Sequence, residues 1–226
     1  MVITQREVFK QKFLVKPAFK FKKPKGVIVW DFDGVLFDTK RLVRDHERIF
    51  SENRVNPAEL RHAAALLKKN GEPFSLARLM RILRHNKVLF SEKSIRRALH
   101  RNLLKYQYVS TETEKTLHYL RRFGFANFIL SFGSAPFQYK KIKSGCGKKF
   151  LEHFTKVLVT KKPKSIFLKR ILRKYSALPI FFIDDKEEHI ALVRKHIPQI
   201  LAVHFKKGWS VKKIARLVLA KSKMYA

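Results

Sequence analysis

Short apolar runs recur along this chain, and segments long enough to form helices separate them. Each run has the length of a buried strand; together they cover residues 27–30, 125–130, 156–160, 179–183 and 201–205. Parallel strands need long crossover connections, usually through a helix, whereas antiparallel neighbours need only a tight turn. The alternation therefore predicts an α/β fold built on a parallel sheet.

Two aspartates stand directly after the first apolar run. Asp31 and Asp33 follow residues 27–30, with Gly34 as a turn residue. In open α/β sheets, ligands bind outside the carboxyl ends of the strands. Residues two apart in an extended segment point the same way, so the two carboxylates would repel each other unless a cation or a proton compensates.

A second acidic pair, Asp184 and Asp185, follows the apolar run at 179–183. Together with Asp31, Asp33 and Asp38, these residues make up five of only 17 aspartates and glutamates in the chain. An acidic start of the next helix would explain Glu187 and Glu188, but not two aspartates ending an apolar strand. Hard oxygen ligands of this kind suit Mg²⁺, so we predict a cation site.

These patterns occur in the order found in a known family. Residues 31–39, Asp-Phe-Asp-Gly-Val-Leu-Phe-Asp-Thr, resemble the first motif of haloacid dehalogenase-like (HAD) hydrolases, in the phosphatase and phosphomutase branch. The strand ending in Ser131, the lysine-rich segment after Thr160 and the Asp184-Asp185 pair resemble the second, third and fourth motifs.

The resemblance implies a domain organisation. The core would be a Rossmann-like three-layer α/β fold formed by residues 26–39 and 119–226. Residues 40–118 carry helical apolar spacing throughout and would form an inserted all-helical cap of the C1 type. Pro57 is expected as a first helical residue there, and Ser91 as a helix cap. Residues 1–25 would be a basic N-terminal extension, whose alternating Phe and Lys residues could add a strand pair.

The resemblance also implies a Mg²⁺-dependent phosphatase acting on a small phosphorylated substrate. Asp31 would attack phosphorus and form an aspartyl-phosphate, and Asp33 would act as general acid and then general base. Ser131 and the backbone at Phe132 would hold phosphate oxygens. The catalytic and metal-binding residues that the resemblance implies are then Asp31, Asp33, Ser131, Asp184 and Asp185, with Asp33 binding the metal through its main-chain carbonyl.

The third motif calls for a lysine near the phosphate, and three lysines compete for that role. Counting back from Ile166 gives Lys161, matching a Lys-Pro pair gives Lys162, and Lys164 is the third candidate. We place Lys162 first as the catalytic lysine, with Lys161 as a further substrate-binding residue.

Three other functions stay open. A phosphomutase shares all these residues, whereas Asp33 argues against the metal-free dehalogenase branch. The net charge of +34, from 51 Lys and Arg residues, also fits a nucleic-acid-binding protein on a HAD-like scaffold, or a polynucleotide end phosphatase. The charge is spread along the chain without a recognised nucleic-acid motif, so we favour a general lysine bias.

The remaining sequence features restrict compartment and chemistry. No apolar run approaches the ~20 residues that span a bilayer, and no secretory signal pattern opens the chain, so we expect a cytoplasmic protein. Cys146 is the single cysteine, which excludes an intrachain disulfide, and we interpret it as inert. Nothing in the cap identifies the substrate, and nothing in the sequence indicates the oligomeric state.

Overall fold

A five-stranded parallel sheet forms the centre of the computed structural model, which describes residues 23–69, 74–147 and 149–225. The strands are β1 (Gly26–Trp30), β2 (Phe125–Phe132), β3 (Lys156–Thr160), β4 (Ile180–Asp184) and β5 (Ile200–His204), in the spatial order β3-β2-β1-β4-β5. All four strand pairings are parallel, which confirms the predicted fold class. The strand pair predicted within residues 1–25 lies outside the described residues, except for the last three positions.

Helices cover both faces of the sheet because side chains alternate along each strand. On β1, Ile28 and Trp30 point into an apolar cluster with two helices, α5 (Thr111–Arg122) and α9 (Val211–Ser222). Val27 and Val29 point into a second cluster on the opposite face. That cluster contains residues of α7 (Lys164–Lys174) and α8 (Glu187–His196). The core therefore has three layers, as expected for buried parallel strands.

Four helices lie between β1 and α5 in the described chain. They are α1 (Thr39–Glu52), α2 (Pro57–Lys69), α3 (Leu76–His85) and α4 (Glu92–Lys105), and we call them the cap helices. They enclose their own apolar cluster, centred on fully buried Met80, Leu83 and Ile95. Pro57 opens α2 and the Ser91 hydroxyl accepts a bond from the Ser94 amide, so both predicted helix starts are confirmed.

The helix after the cap helices belongs to the core packing. Helix α5 begins at Thr111, within the range 40–118 that the sequence assigns to the cap. The side chain of Ser110 caps it by accepting a bond from the Thr113 amide. Its buried residues Leu117 and Leu120 join the cluster under the sheet, so the chain has returned to the core by Thr111.

The remaining connection, between β2 and β3, contains helix α6 (Ala135–Ser144) and a 3₁₀ turn at Phe150–His153. None of the helices in the described segments is long and apolar enough to cross a membrane.

Candidate active site

Carboxylates from β1 and β4 meet at the carboxyl edge of the sheet. Trp30 of β1 pairs with Ile183 of β4, so the residues that follow, Asp31 and Asp184, are neighbours. One oxygen from each of Asp31, Asp184 and Asp185 lies within 4.8 Å of the other two. Chain order along the sheet reverses between β1 and β4, which is where open α/β sheets bind ligands. We call these three residues the carboxylate cluster.

A buried lysine lies among these carboxylates. The Nζ atom of Lys164 is 2.8 Å from Oδ1 of Asp31 and 2.7 Å from Oδ2 of Asp184. Lys164 is the first residue of α7, so the helix start delivers it to the sheet edge. Lys161 and Lys162 are both exposed. The structure thus brings Lys164 to the carboxylates. It does not bring Lys161 or Lys162 there, although the sequence analysis ranks both above Lys164.

The pKa values of these groups reflect their burial and the closeness of several charges. Burial and the neighbouring Asp184 raise the pKa of Asp31 to about 7, although Lys164 opposes the rise. Burial would also raise the pKa of Asp184, but a bond from His189 (2.9 Å) and the charge of Lys164 hold it below its usual range. Burial and Asp184 raise the pKa of Asp185. The single positive charge of Lys164 therefore does not balance the negative charges of the three carboxylates. A bound cation would supply the missing positive charge.

Asp33 is held apart from the carboxylate cluster by three partners. Its Oδ1 accepts a hydrogen bond from the Thr39 hydroxyl (2.8 Å) and forms an ion pair with Lys141. Its Oδ2 accepts a hydrogen bond from the Gln138 side chain (2.8 Å). Burial would raise the pKa of Asp33, but Lys141 and the two hydrogen bonds hold it below the usual range. The side chain is fixed and ionised, and it lies in the same cavity as Asp31.

Ser131, the predicted phosphate-binding hydroxyl, is completely buried in β2. Its Oγ has no hydrogen-bond partner among the described residues, which is costly for a buried polar atom. The residues that follow it, from Phe132 to Ser134, line the same cavity as Asp31. Ser131 itself does not line the cavity, so the structure places its unpartnered hydroxyl behind the cavity wall.

Gly34 is required by the close approach of two loops. Its φ of +77° lies in the left-handed region, which strains residues with a side chain. A Cβ atom at this position would collide with Oδ2 of Asp185. The loop after β1 can therefore pass against Asp185 only with glycine here.

A cavity of about 640 Å³ opens above the carboxylate cluster, between the core and the cap helices. Its core side contains Asp31, Asp33, Lys141, Lys164 and Asp185. Its remaining wall is mostly apolar; the apolar residues are Leu42, Val43, Phe50, Leu60, Ala64, Phe74, Leu79, Phe132 and Phe137.

Several residues of the site were not found by the sequence reasoning. Gln138 and Lys141 lie one turn apart on α6, both buried, so they face the same side of the helix. One sequence feature could have indicated Lys141. This lysine lies next to Ile142 on the buried side of a helix that starts at the sheet edge. His189 lies in the first turn of α8 and contacts Asp184, five residues before it. No spacing pattern in the sequence indicates this contact, because the chain turns between the strand and the helix.

The donor set of the carboxylate cluster fits a hard divalent cation. Carboxylate oxygens are the ligands that Mg²⁺ prefers in proteins, and no softer donor is found in this cluster. Cys146 lies outside this cluster, two residues after the end of α6, and burial strongly raises the pKa of its thiol, in line with an inert cysteine.

Solved structures with the same fold are numerous. A haloacid dehalogenase-like hydrolase from Burkholderia xenovorans aligns with a TM-score of 0.63 at 20% identity, over 80% of this chain and 84% of its own. A HAD hydrolase from Bacillus subtilis bound to magnesium aligns with a TM-score of 0.54 at 13% identity, over 88% and 99%. An L-2-haloacid dehalogenase aligns with a TM-score of 0.55 at 14% identity, over 87% and 100%.

Sequence comparison is more selective than fold comparison. A search of curated proteins finds no significant match to this chain. The sequence model of the haloacid dehalogenase-like hydrolases, however, matches residues 26–195, which include β1, the cap helices and the carboxylate cluster. Three-quarters of the chain thus conform to one family, and the protein belongs to the haloacid dehalogenase-like hydrolases.

Proposed function

We propose that this hydrolase is a Mg²⁺-dependent phosphomonoesterase that works through an aspartyl-phosphate on Asp31. The observation that carries the proposal is the second aspartate, Asp33, which three side chains fix in the same cavity as Asp31. A haloacid dehalogenase needs one nucleophilic carboxylate. A phosphatase also needs a group that can protonate the leaving oxygen and later activate water.

The nucleophile is held in place by the core. Oδ1 of Asp31 accepts bonds from the Phe32 amide (2.7 Å) and from Lys164. An oxygen of this carboxylate attacks phosphorus, the bond from phosphorus to the leaving oxygen breaks, and an acyl phosphate remains on Asp31. Water then attacks that phosphorus and releases inorganic phosphate.

The cation required by the carboxylate cluster would be held by Asp31, Asp184 and Asp185. When bound, Mg²⁺ supplies positive charge that offsets repulsion between a carboxylate and an anionic phosphoryl group. Lys164 contributes a second positive charge in the same place, since it already bridges Asp31 and Asp184. We assign to Lys164 the role of the phosphate-neutralising lysine that the sequence placed at Lys162.

Asp33 and Lys141 handle the proton as a pair. Because Asp33 is ionised, the proton for the leaving oxygen would come from Lys141, which donates a hydrogen bond to Asp33, and would pass through that carboxyl; Lys141 would regain it from Asp33 after the second step. In the second step the ionised Asp33 accepts a proton from the attacking water. Ser131, whose buried hydroxyl lacks a partner among the described residues, can donate to a phosphoryl oxygen.

The test is phosphate release from p-nitrophenyl phosphate with Mg²⁺, with chelator, and with the variant Asp31→Asn. We expect turnover that requires the metal and falls by roughly 10³-fold or more in the variant, because amide oxygen is a poor nucleophile. Glu188→Gln is the control, since Glu188 is an exposed carboxylate outside the cavity. Chloride release from 2-chloropropionate without phosphate release would overturn the proposal in favour of dehalogenation.

A further inference from the structure

The wall of the cavity that faces the carboxylate cluster has an unusual composition for an enzyme that handles anions. Although 51 of the 226 residues are Lys or Arg, only two of those that the structure describes, Lys40 and Arg61, reach the cavity from the cap helices, which also contribute six apolar residues, among them Val43, Phe50 and Leu60. Charge is therefore concentrated where the phosphoryl group would bind. The rest of the substrate meets an apolar surface.

Aromatic rings stand where the cap helices meet the core. Phe74, just before α3, packs against Phe137 of α6 with ring centroids 5.2 Å apart and an interplanar angle of 53°. Phe132, at the end of β2, lines the same cavity. Phe74 and Phe132 each keep 37% of their surface exposed, so both rings still have faces free to contact a ligand. Aromatic pairs favour offset or tilted arrangements of this kind.

The charged groups on the cap side lie mostly near solvent. Lys40 and Arg61 line the cavity but are exposed, and Glu47 is half-buried. His46 lines the cavity too, and its buried Nε2 has no partner among the described residues. A polyhydroxylated leaving group would lose its bonds to water here and find few replacements, which costs binding energy.

We infer that the leaving group of the substrate carries a flat, uncharged aromatic ring, so that the substrate class is aromatic phosphate monoesters. This inference rests on the proposed phosphatase function. The substrate ring would lie against Phe74, Phe132 and Phe137. One polar substituent on that ring could form a hydrogen bond with the unpartnered Nε2 of His46. Sugar phosphates would be poor substrates.

The test compares two esters whose leaving groups are both primary alcohols, so that leaving-group acidity does not decide the outcome. We expect kcat/KM for benzyl phosphate to exceed that for glucose 6-phosphate by about 10²-fold, because apolar pockets discriminate by 10- to 200-fold for small differences. Phe74→Ala should reduce this preference by about tenfold. Val43→Thr, which adds a hydroxyl without changing the shape, should reduce it less.

The control variant is Phe123→Ala. Phe123 is 45% exposed, similar to Phe74, but it packs against Tyr119 on α5 and does not line the cavity. Its removal should leave the ratio of the two kcat/KM values unchanged. Equal or better hydrolysis of glucose 6-phosphate, or an unchanged ratio in Phe74→Ala, would overturn the inference.

A binding measurement separates this inference from the proposed function. Benzylphosphonate and methylphosphonate cannot be hydrolysed, and calorimetry on the Mg²⁺-loaded protein gives their affinities without turnover. Tighter binding of benzylphosphonate by about tenfold or more, lost in Phe74→Ala, supports the aromatic site even if neither ester is hydrolysed. Equal affinities contradict the aromatic site, whereas absent hydrolysis alone contradicts only the phosphatase.

Discussion

The two sides of the active-site cavity are built on opposite principles. The core side holds buried charge: Asp31, Asp184 and Lys164 are each at most 6% exposed and contact one another directly. The cap side adds apolar surface, and His46, whose Nε2 is buried there, is kept neutral. In the proposed function the strand ends would supply the chemistry, and the cap helices would select the leaving group.

The largest effect should come from removing the buried cation on the core side. Lys164→Met keeps a long side chain but leaves Asp31 and Asp184 without their shared partner, which typically destabilises a protein by about 3–5 kcal/mol. We expect that loss in urea denaturation, together with a roughly 10²-fold or greater fall in phosphate release. Lys162→Met is the matched control, because Lys162 is exposed and two residues away. Inactivation by the control but not by Lys164→Met would restore Lys162 to the site.

A second pair of variants separates backbone strain from damage to the metal site. Gly34 and Gly208 have nearly equal φ values, +77° and +81°, but only Gly34 has Asp185 against its Cα. Each alanine substitution should cost about 1–2 kcal/mol of stability, because the left-handed conformation disfavours a Cβ, and the collision with Asp185 should add to that cost at Gly34. Only Gly34→Ala should also weaken activation by Mg²⁺, by about tenfold or more. Equal Mg²⁺ titrations for the two variants would remove Asp185 from the metal site.

The last prediction tests whether the imidazole of His46, on the cap side, stays uncharged. Burial, with a contribution from Lys141, lowers the pKa of His46 to about 4, from about 6.5 in the unfolded chain. Between pH 6.5 and pH 4 the unfolded chain therefore binds a proton at His46 that the folded protein does not, so stability decreases as the pH falls. The contribution is about 2 kcal/mol between pH 7.5 and pH 5. We expect His46→Gln to lose less stability than the wild type over that range in urea denaturation, and identical losses would contradict a buried neutral imidazole.

The sheet and the carboxylates could be predicted because their signals are local. An apolar run followed by Asp31 or Asp184 predicts a strand, and the aspartate marks the carboxyl end of that strand, where ligands bind in open α/β sheets. The position of Ser131 near the end of β2 was predictable for the same reason, whereas its role stays a prediction. The order of the motifs then supplied the family, which the sequence match confirms.

The contacts across the cavity could not be predicted, because they join distant parts of the chain. Lys141 reaches Asp33 over 108 residues and Gln138 over 105. The choice among Lys161, Lys162 and Lys164 depended on where α7 starts, and helix boundaries are the least reliable part of a sequence prediction. Domain boundaries, cytoplasmic location and the nucleic-acid interpretation of the net charge stay predictions.

The most direct test of the account is whether Asp31 becomes phosphorylated during turnover. The protein is mixed with p-nitrophenyl phosphate, whose leaving group departs without a proton from Asp33, and with Mg²⁺; it is then quenched in acid within the first turnover, digested, and analysed by mass spectrometry. We predict one phosphoryl group on the peptide that contains Asp31, absent in Asp31→Asn and more abundant in Asp33→Asn, which cannot activate the water of the second step. Phosphate release without any phosphorylated Asp31 peptide, in the wild type and in Asp33→Asn alike, would contradict the aspartyl-phosphate mechanism.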